Sequence, residues 1–272
     1  MGKIAVFDAQ IYNATPLSRR EVRLLSGWER ERRLFVTIQD IRKLVGGAAG
    51  ADVARQLVRK RALQRLRGGS YLVRPFRALV RAAAPSTPVA VEALLHDESH
   101  YLGGLWALSF HGLSEQSYAS LLDAFVTHRL APRRLGAGRV RFHALSKSAF
   151  GYGIATSEIE GMPVHLSDRE RTVLDAFAHP RLFGGLGRAV EIAGAHLREL
   201  DRKRLLQYAI AGSRPSTCQR LGVLLERSGV SARTLAPLRA RARQTGSLLS
   251  MNPDVRRAGR VNRRWNVVEN DR

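Results

Sequence analysis

The residues best equipped for chemistry in this sequence are basic and amide side chains near its N-terminus. Arg55, Gln56 and Arg59 recur at i, i+1 and i+4. With Asp52 they occupy one face of a helix expected from about residue 51 to 61. Arginine and glutamine present paired hydrogen-bonding groups that match base edges in the major groove, so this face has the chemistry of base reading. Lys60, Arg61, Arg65 and Arg67 follow, where the helix ends and the next turn begins. Positive charges there suit phosphate contact, which positions a protein on a duplex without reading it. The alternative is a solvated basic face, or a protein-interaction module of the same shape.

Nothing comparable points to catalysis or to metal. The eight histidines show neither HExxH spacing nor a close pairing with the single cysteine. His111 and His143 lie in apolar segments and are expected to pack. The run Phe183-Gly184-Gly185-Leu186-Gly187 precedes a helix but lacks the Lys-Ser/Thr of a phosphate loop, so it reads as a turn. Cys218 reads as a small buried side chain. The densest polar segment, residues 167–175, alternates charge at a helix start, where local ion pairs are the ordinary outcome. Its Asp168 and Asp175 are the acidic groups an enzyme would use if this were one. The expectation is a binding protein with no cofactor, no metal and no catalytic residues.

The elements that must position the basic set follow from periodicity. Ser18 with Glu21 caps a first helix whose Val22, Leu25 and Trp28 share a face. Residues 34–36 form a short β-prone link. Thr37 with Asp40 caps a second helix, with Ile38, Ile41 and Val45 as its buried stripe and Gly46-Gly47 as its stop. The third helix buries Val53, Leu57 and Val58, and residues 66–73 form a hairpin about Gly68-Gly69. Three short helices and a basic hairpin describe a winged helix-turn-helix. The expected fold is α+β: an extended leader over 1–17, the winged helix over 18–80, a linker over 81–88, and a mixed α/β domain over 89–272. Thr87-Pro88 is an alternative helix start. In the last domain, residues 153–160 and 162–166 suggest a hairpin about Gly161, and Ser167 with Glu170 a capping box. Helices are expected over 188–197, 202–211 and 217–227, and residues 263–268 alternate like a closing strand.

Charge sharpens this picture. The chain carries 45 basic and 23 acidic side chains, a formal net of +22. Residues 1–80 hold +11, residues 81–212 only +2, and residues 213–272 hold +9. Such a field draws nucleic acid, anionic membranes or acidic proteins. With no apolar run of membrane-spanning length, no secretory signal pattern and one cysteine, the expected location is the cytoplasm.

Several segments resemble a known family, the AbiEi antitoxins of type IV toxin–antitoxin and abortive-infection systems. The resemblance is carried by residues 66–71 (LRGGSY), 104–113 (GLWALSFHGL), 164–175 (VHLSDRERTVLD), 220–226 (RLGVLLE) and Trp265-Asn266-Val267, in that order. It implies an autorepressor that binds operator DNA through the winged helix. It also implies a C-terminal domain that counteracts a nucleotidyltransferase-like toxin encoded in the same operon, with or without direct contact. On that reading a second surface, antitoxic or nucleic-acid binding, is expected at Arg220, Arg227, Arg239, Arg241, Arg243, Arg263 and Arg264. The competing readings are a winged-helix regulator with a sensing domain and no toxin, and an enzyme that modifies the toxin.

Overall fold

Ser18 and Thr37 start the first two helices by the same reciprocal device. The Ser18 hydroxyl accepts from the Glu21 backbone N–H at 3.3 Å, while the Glu21 carboxylate accepts from the Ser18 N–H at 2.6 Å. Thr37 and Asp40 repeat this at 3.2 and 2.8 Å. Each pair satisfies two N–H groups that a helix start leaves orphaned. The structure, a computed structural model, describes residues 17–31, 33–66, 69–74, 86–116, 118, 121–136 and 138–271. All but the last residue of the expected leader (1–17), the end of the expected winged helix (75–80), most of the expected linker and Arg67-Gly68 lie outside them. The chain divides into two compact units. One holds residues 1–98, 133–140 and 158–164; the other holds 99–132, 141–157 and 165–272.

In the first unit the order is α1 (Arg19–Arg30), β1 (Phe35–Thr37), α2 (Ile38–Val45), α3 (Gly50–Arg59), β2 (Leu63–Arg65) and β3 (Ser70–Val73). The strands lie in the order β1-β3-β2, all antiparallel, with Val36 opposite Tyr71 and Gln64 opposite Leu72. Leu24, Leu25, Trp28, Val36, Ile41, Leu57, Leu63 and Tyr71 form the core. Val22 is 39% exposed, so the buried face of α1 is set by Leu24, Leu25 and Trp28. Gly46, at φ 89°, ends α2 as its composition implied. Next comes α4 (Thr87–Leu95), with Pro88 in its first turn and every residue buried. Residues 87–88 thus begin a helix rather than closing a linker.

The second unit is built on strands β4 (His100–Gly103), β5 (Leu121–Val126), β7 (Gly138–Ala144), β8 (Ile154–Ile159) and β9 (Met162–Ser167), in the order β7-β5-β4-β9-β8. The hairpin ends, with β6 (Arg133–Leu135), group with the first unit. Between β4 and β5 runs α5 (Gly104–Phe110). The turn between β8 and β9 has Glu160 at φ 53° and Gly161 at φ 79°, the geometry expected of a tight hairpin.

Beyond β9 the chain is helical: α6 (Arg169–Ala178), α7 (Leu186–His196), α8 (Arg202–Gly212), α9 (Pro215–Arg227) and α10 (Ala236–Ala242). A small sheet follows, of β10 (Leu249–Ser250), β11 (Arg260–Asn262) and β12 (Val267–Glu269) in the order β10-β12-β11.

Two local expectations change. Ser167 does not cap α6, because it still belongs to β9 and its hydroxyl meets that of Thr172 at 2.7 Å. Asp168 is the cap, accepting from the Arg171 N–H at 2.8 Å. Residues 263–268 are not one strand: 263–266 turn the chain between β11 and β12, with Asn266 at φ 56°. The architecture is mixed α+β. Among the described residues no helix is long and apolar enough to cross a membrane.

Candidate nucleic-acid interface

The outer face of α3 is the one expected from spacing. Asp52, Arg55, Gln56 and Arg59 are all exposed, while Ala54 and Leu57 are buried beneath them. Arg55 pairs with Asp52, and Arg59 donates to the Gln56 side-chain oxygen at 2.5 Å. These contacts lie along the surface, so they orient the arginines on one face without burying them. Gly50 lets α3 approach α2 closely: a Cβ there would fall 2.5 Å from Cγ and 3.1 Å from Cα of Arg42. At the other end of the motif, the Ile38 N–H donates to the Gly69 carbonyl at 2.6 Å, tying the start of α2 to the β2–β3 turn.

Lys60 is not part of this face. Its ammonium donates to the Glu21 carboxylate at 2.6 Å, with both side chains largely buried, so it ties the end of α3 to the start of α1. Burial pushes the Glu21 carboxyl up. The bond to Lys60 and the Ser18 N–H more than offset this, and the group sits below the usual carboxylate range. Arg61 and Arg65 are exposed, Arg61 in a left-handed conformation at φ 59° that turns the chain from α3 into β2. Arg67 lies outside the described residues.

Arg74 escaped sequence reading because it marks only the end of a strand. Its backbone N–H donates to the Ala62 carbonyl at 3.0 Å. Partial burial and the nearby Arg61 charge both depress its guanidinium pKa. A cation held beside another, half out of water, is favoured when an anion approaches the pair.

The expected C-terminal surface is largely spent on the fold. Arg220 is 7% exposed and donates from Nε to the Ser250 and Met251 carbonyls at 3.1 and 3.2 Å, fastening α9 to β10. Arg227 bridges Glu269 and Asp271, with Nη1 at 2.6 Å from the latter. Arg264 pairs with Glu226, and Arg241 donates to the Ser213 carbonyl at 3.3 Å. Arg239 is half-buried. Only Arg243 and Arg263 of the seven are exposed without such a bond among the described residues. Arg227 and Arg264 are drawn into the fold by Glu269, Asp271 and Glu226, which are distant from them in sequence or across the small sheet, and Arg220 and Arg241 by backbone carbonyls.

The two carboxylates an enzyme would need are also engaged. Asp175 accepts from Arg171 Nε at 2.7 Å and from the Tyr101 hydroxyl at 3.0 Å, fully buried. Asp168 caps α6 and accepts from the Tyr208 hydroxyl at 2.9 Å. His111 Nε2 meets the Ser167 carbonyl at 2.6 Å, and His143 Nε2 meets the buried Asp123 carboxylate at 2.7 Å beside a two-pronged contact from Arg141. Cys218 is buried, and that burial pushes its thiol up to about 11, so it is unreactive at neutral pH. In the glycine-rich turn, the Gly187 N–H at the start of α7 donates to the Asp254 carboxylate at 3.1 Å, which takes the place a phosphate would need.

No family model and no curated protein matches this chain. Among solved structures it is similar to the crystal structure of the RV2827C protein from Mycobacterium tuberculosis, at 15% identity and a TM-score of 0.59, covering 94% of each chain. That similarity is one of fold.

Proposed function

We propose that this chain is a DNA-binding repressor in which residues 18–74 form a winged helix-turn-helix, with α3 as the recognition helix and the β2–β3 hairpin as the wing. One observation carries the reading: Arg55, Gln56 and Arg59 stand exposed on one face of a helix whose other face is locked into a core. That helix is followed by a basic hairpin whose second strand pairs with β1. A rigid helix with base-matching side chains outward is what major-groove recognition requires. Through the AbiEi resemblance the reading extends to an autorepressor and antitoxin in the cytoplasm. Operator DNA is then its direct partner, and a nucleotidyltransferase-like toxin of the same operon is its functional one. The internal engagement of Asp168 and Asp175 weighs against the enzymatic alternative.

The test is binding of the full chain to a duplex spanning the DNA upstream of its own coding sequence, against a scrambled duplex of equal composition. Arg55→Ala and Arg59→Ala are expected to reduce discrimination between the two by about 1–3 kcal/mol per contacted base pair. Arg61→Ala and Arg65→Ala are expected to weaken both duplexes equally. Equal weakening on both duplexes for the α3 variants would end the base-reading assignment. Protection of cells from the toxin of a neighbouring nucleotidyltransferase gene tests the antitoxin half separately.

A further inference from the structure

The near balance of charge over residues 81–212 hides a local excess. Residues 124–157 carry six basic side chains, Arg129, Arg133, Arg134, Arg139, Arg141 and Lys147, and no acidic one. Two of these meet on a hairpin. β6 pairs antiparallel with the opening residues of β7, with Arg133 opposite Val140, Arg134 opposite Arg139 and Leu135 opposite Gly138. Leu135 and Val140 are buried, whereas Arg134 and Arg139 are exposed, and neither has an ion-pair partner among the described residues. Directly opposed residues project from the same side of the ladder with Cβ atoms about 4.5–5.5 Å apart, so like charges there cost stability. A charge on the edge strand β6 would by itself discourage pairing with another sheet. Arg139, on the second strand, adds repulsion without adding to that protection. Gly136, at φ 57°, ends β6 in a left-handed conformation that glycine adopts freely. These residues group with 1–98 in the compact unit that contains α3, where β6 packs against α4.

We propose that the β6–β7 hairpin is a second phosphate-binding element of the DNA-binding unit, in which Arg134 and Arg139 grip the sugar–phosphate backbone of the duplex that α3 reads. It rests on the DNA-binding reading above. Guanidinium groups make two-pronged bonds to phosphate oxygens, and a phosphate between the two arginines relieves the repulsion that the bare hairpin carries. Backbone binding of this kind adds affinity and orientation but carries no sequence information.

The experiment uses the full chain, the upstream duplex and its scrambled counterpart, over a series of salt concentrations. Arg134→Gln with Arg139→Gln is expected to weaken both duplexes by the same factor. The slope of log affinity against log salt should fall by about 0.9 for each phosphate no longer neutralised. Arg134→Lys with Arg139→Lys, which keeps the charge, should restore most of the slope, and this separates phosphate binding from damage to the hairpin. If wild type binds the upstream duplex and the glutamine pair leaves affinity and slope unchanged, the hairpin assignment fails while the α3 assignment stands. If wild type binds neither duplex, both fail together. If the glutamine pair abolishes binding to a structured RNA and not to DNA, the partner class is wrong and the proposal as stated is overturned.

Discussion

Lys60 and Arg59 are adjacent on the chain and share a charge, yet they do different work. Arg59 lies along the open face of α3, whereas Lys60 is the buried partner of Glu21, itself half of the capping box that starts α1. Removing one member of a buried pair leaves the other charged and out of water, at a cost of about 3–5 kcal/mol, while replacing both by neutral groups costs far less. Lys60→Met is therefore expected to destabilise the protein by a few kcal/mol in urea unfolding, and Glu21→Gln combined with Lys60→Met to recover much of that loss. The phosphate-binding alternative makes the opposite forecast, a reduced salt slope of DNA binding with little change in stability. The sign of the pH effect follows from the depressed folded-state pKa of Glu21. Its stabilisation is present above the ordinary carboxylate value of 4.5 and is lost as pH falls through the lower folded-state value. A wild-type curve parallel to that of the double variant across that acid range would contradict this role for the pair.

The close approach of α3 to Arg42 of α2 depends on the side chain that Gly50 lacks. Alanine is the better helix former by about 0.8–1.0 kcal/mol, so propensity alone favours Gly50→Ala. Contact with the Arg42 backbone and Cγ opposes it, because the Arg42 Cα cannot swing away as a side-chain tip could. Overpacking of this kind typically costs about 1–3 kcal/mol, so Gly50→Ala should lower the thermal midpoint and, on the proposed function, weaken binding to the upstream duplex. Gly47, with open space where a Cβ would sit, is the matched control, and Gly47→Ala should be neutral or mildly stabilising. An unchanged midpoint for Gly50→Ala would show that the two helices can separate freely. These elements were legible in sequence because their signals are local: capping boxes at Ser18 and Thr37, glycine stops, and a 3.6-residue apolar period. The partners of Lys60, Arg220 and Arg227 were not, because each lies some thirty or more positions away and no periodicity encodes it. The same distinction explains the segments that resemble AbiEi. A Cβ on Gly222 would collide with the Trp265 indole, whose Nε1 donates to Glu226 at 2.9 Å, and Arg171 joins Tyr101 and Asp175 in the interior. Outside the hairpin these segments are packing motifs, so they speak to fold more than to chemistry.

At the scale of the molecule, the +22 charge is not uniformly available. In the C-terminal segment Arg220, Arg227, Arg241 and Arg264 are tied to carbonyls and carboxylates, while Arg214, Arg233, Arg243, Arg256, Arg260 and Arg263 stay exposed. In the first unit Arg59, Arg61, Arg65, Arg134 and Arg139 are exposed as well. A protein this cationic gains further positive charge on acidification, and its second unit holds a group that resists the proton. Burial depresses the His179 pKa to about 4, helped by His143, Arg171 and Arg214, and its ring packs 5.2 Å from that of Phe125. The unfolded chain takes up this proton near the ordinary value of 6.5, the folded chain only near 4. Between those limits the unfolded state binds more protons, so stability falls as pH falls through that window. A shift of this size corresponds to a loss on the order of 2–3 kcal/mol by its lower end. His179→Asn, neutral throughout, should lose less stability than wild type on going from pH 7 into the window, as measured by urea unfolding at each pH. Carboxylates add their own acid sensitivity to both proteins, so the decisive quantity is the gap between the two curves, widening as pH falls below about 6.5 and levelling off near 4. A constant gap across that range would mean that the imidazole takes up its proton equally well in the folded and unfolded chains, and that its burial among cations does not govern the acid limit of the second unit.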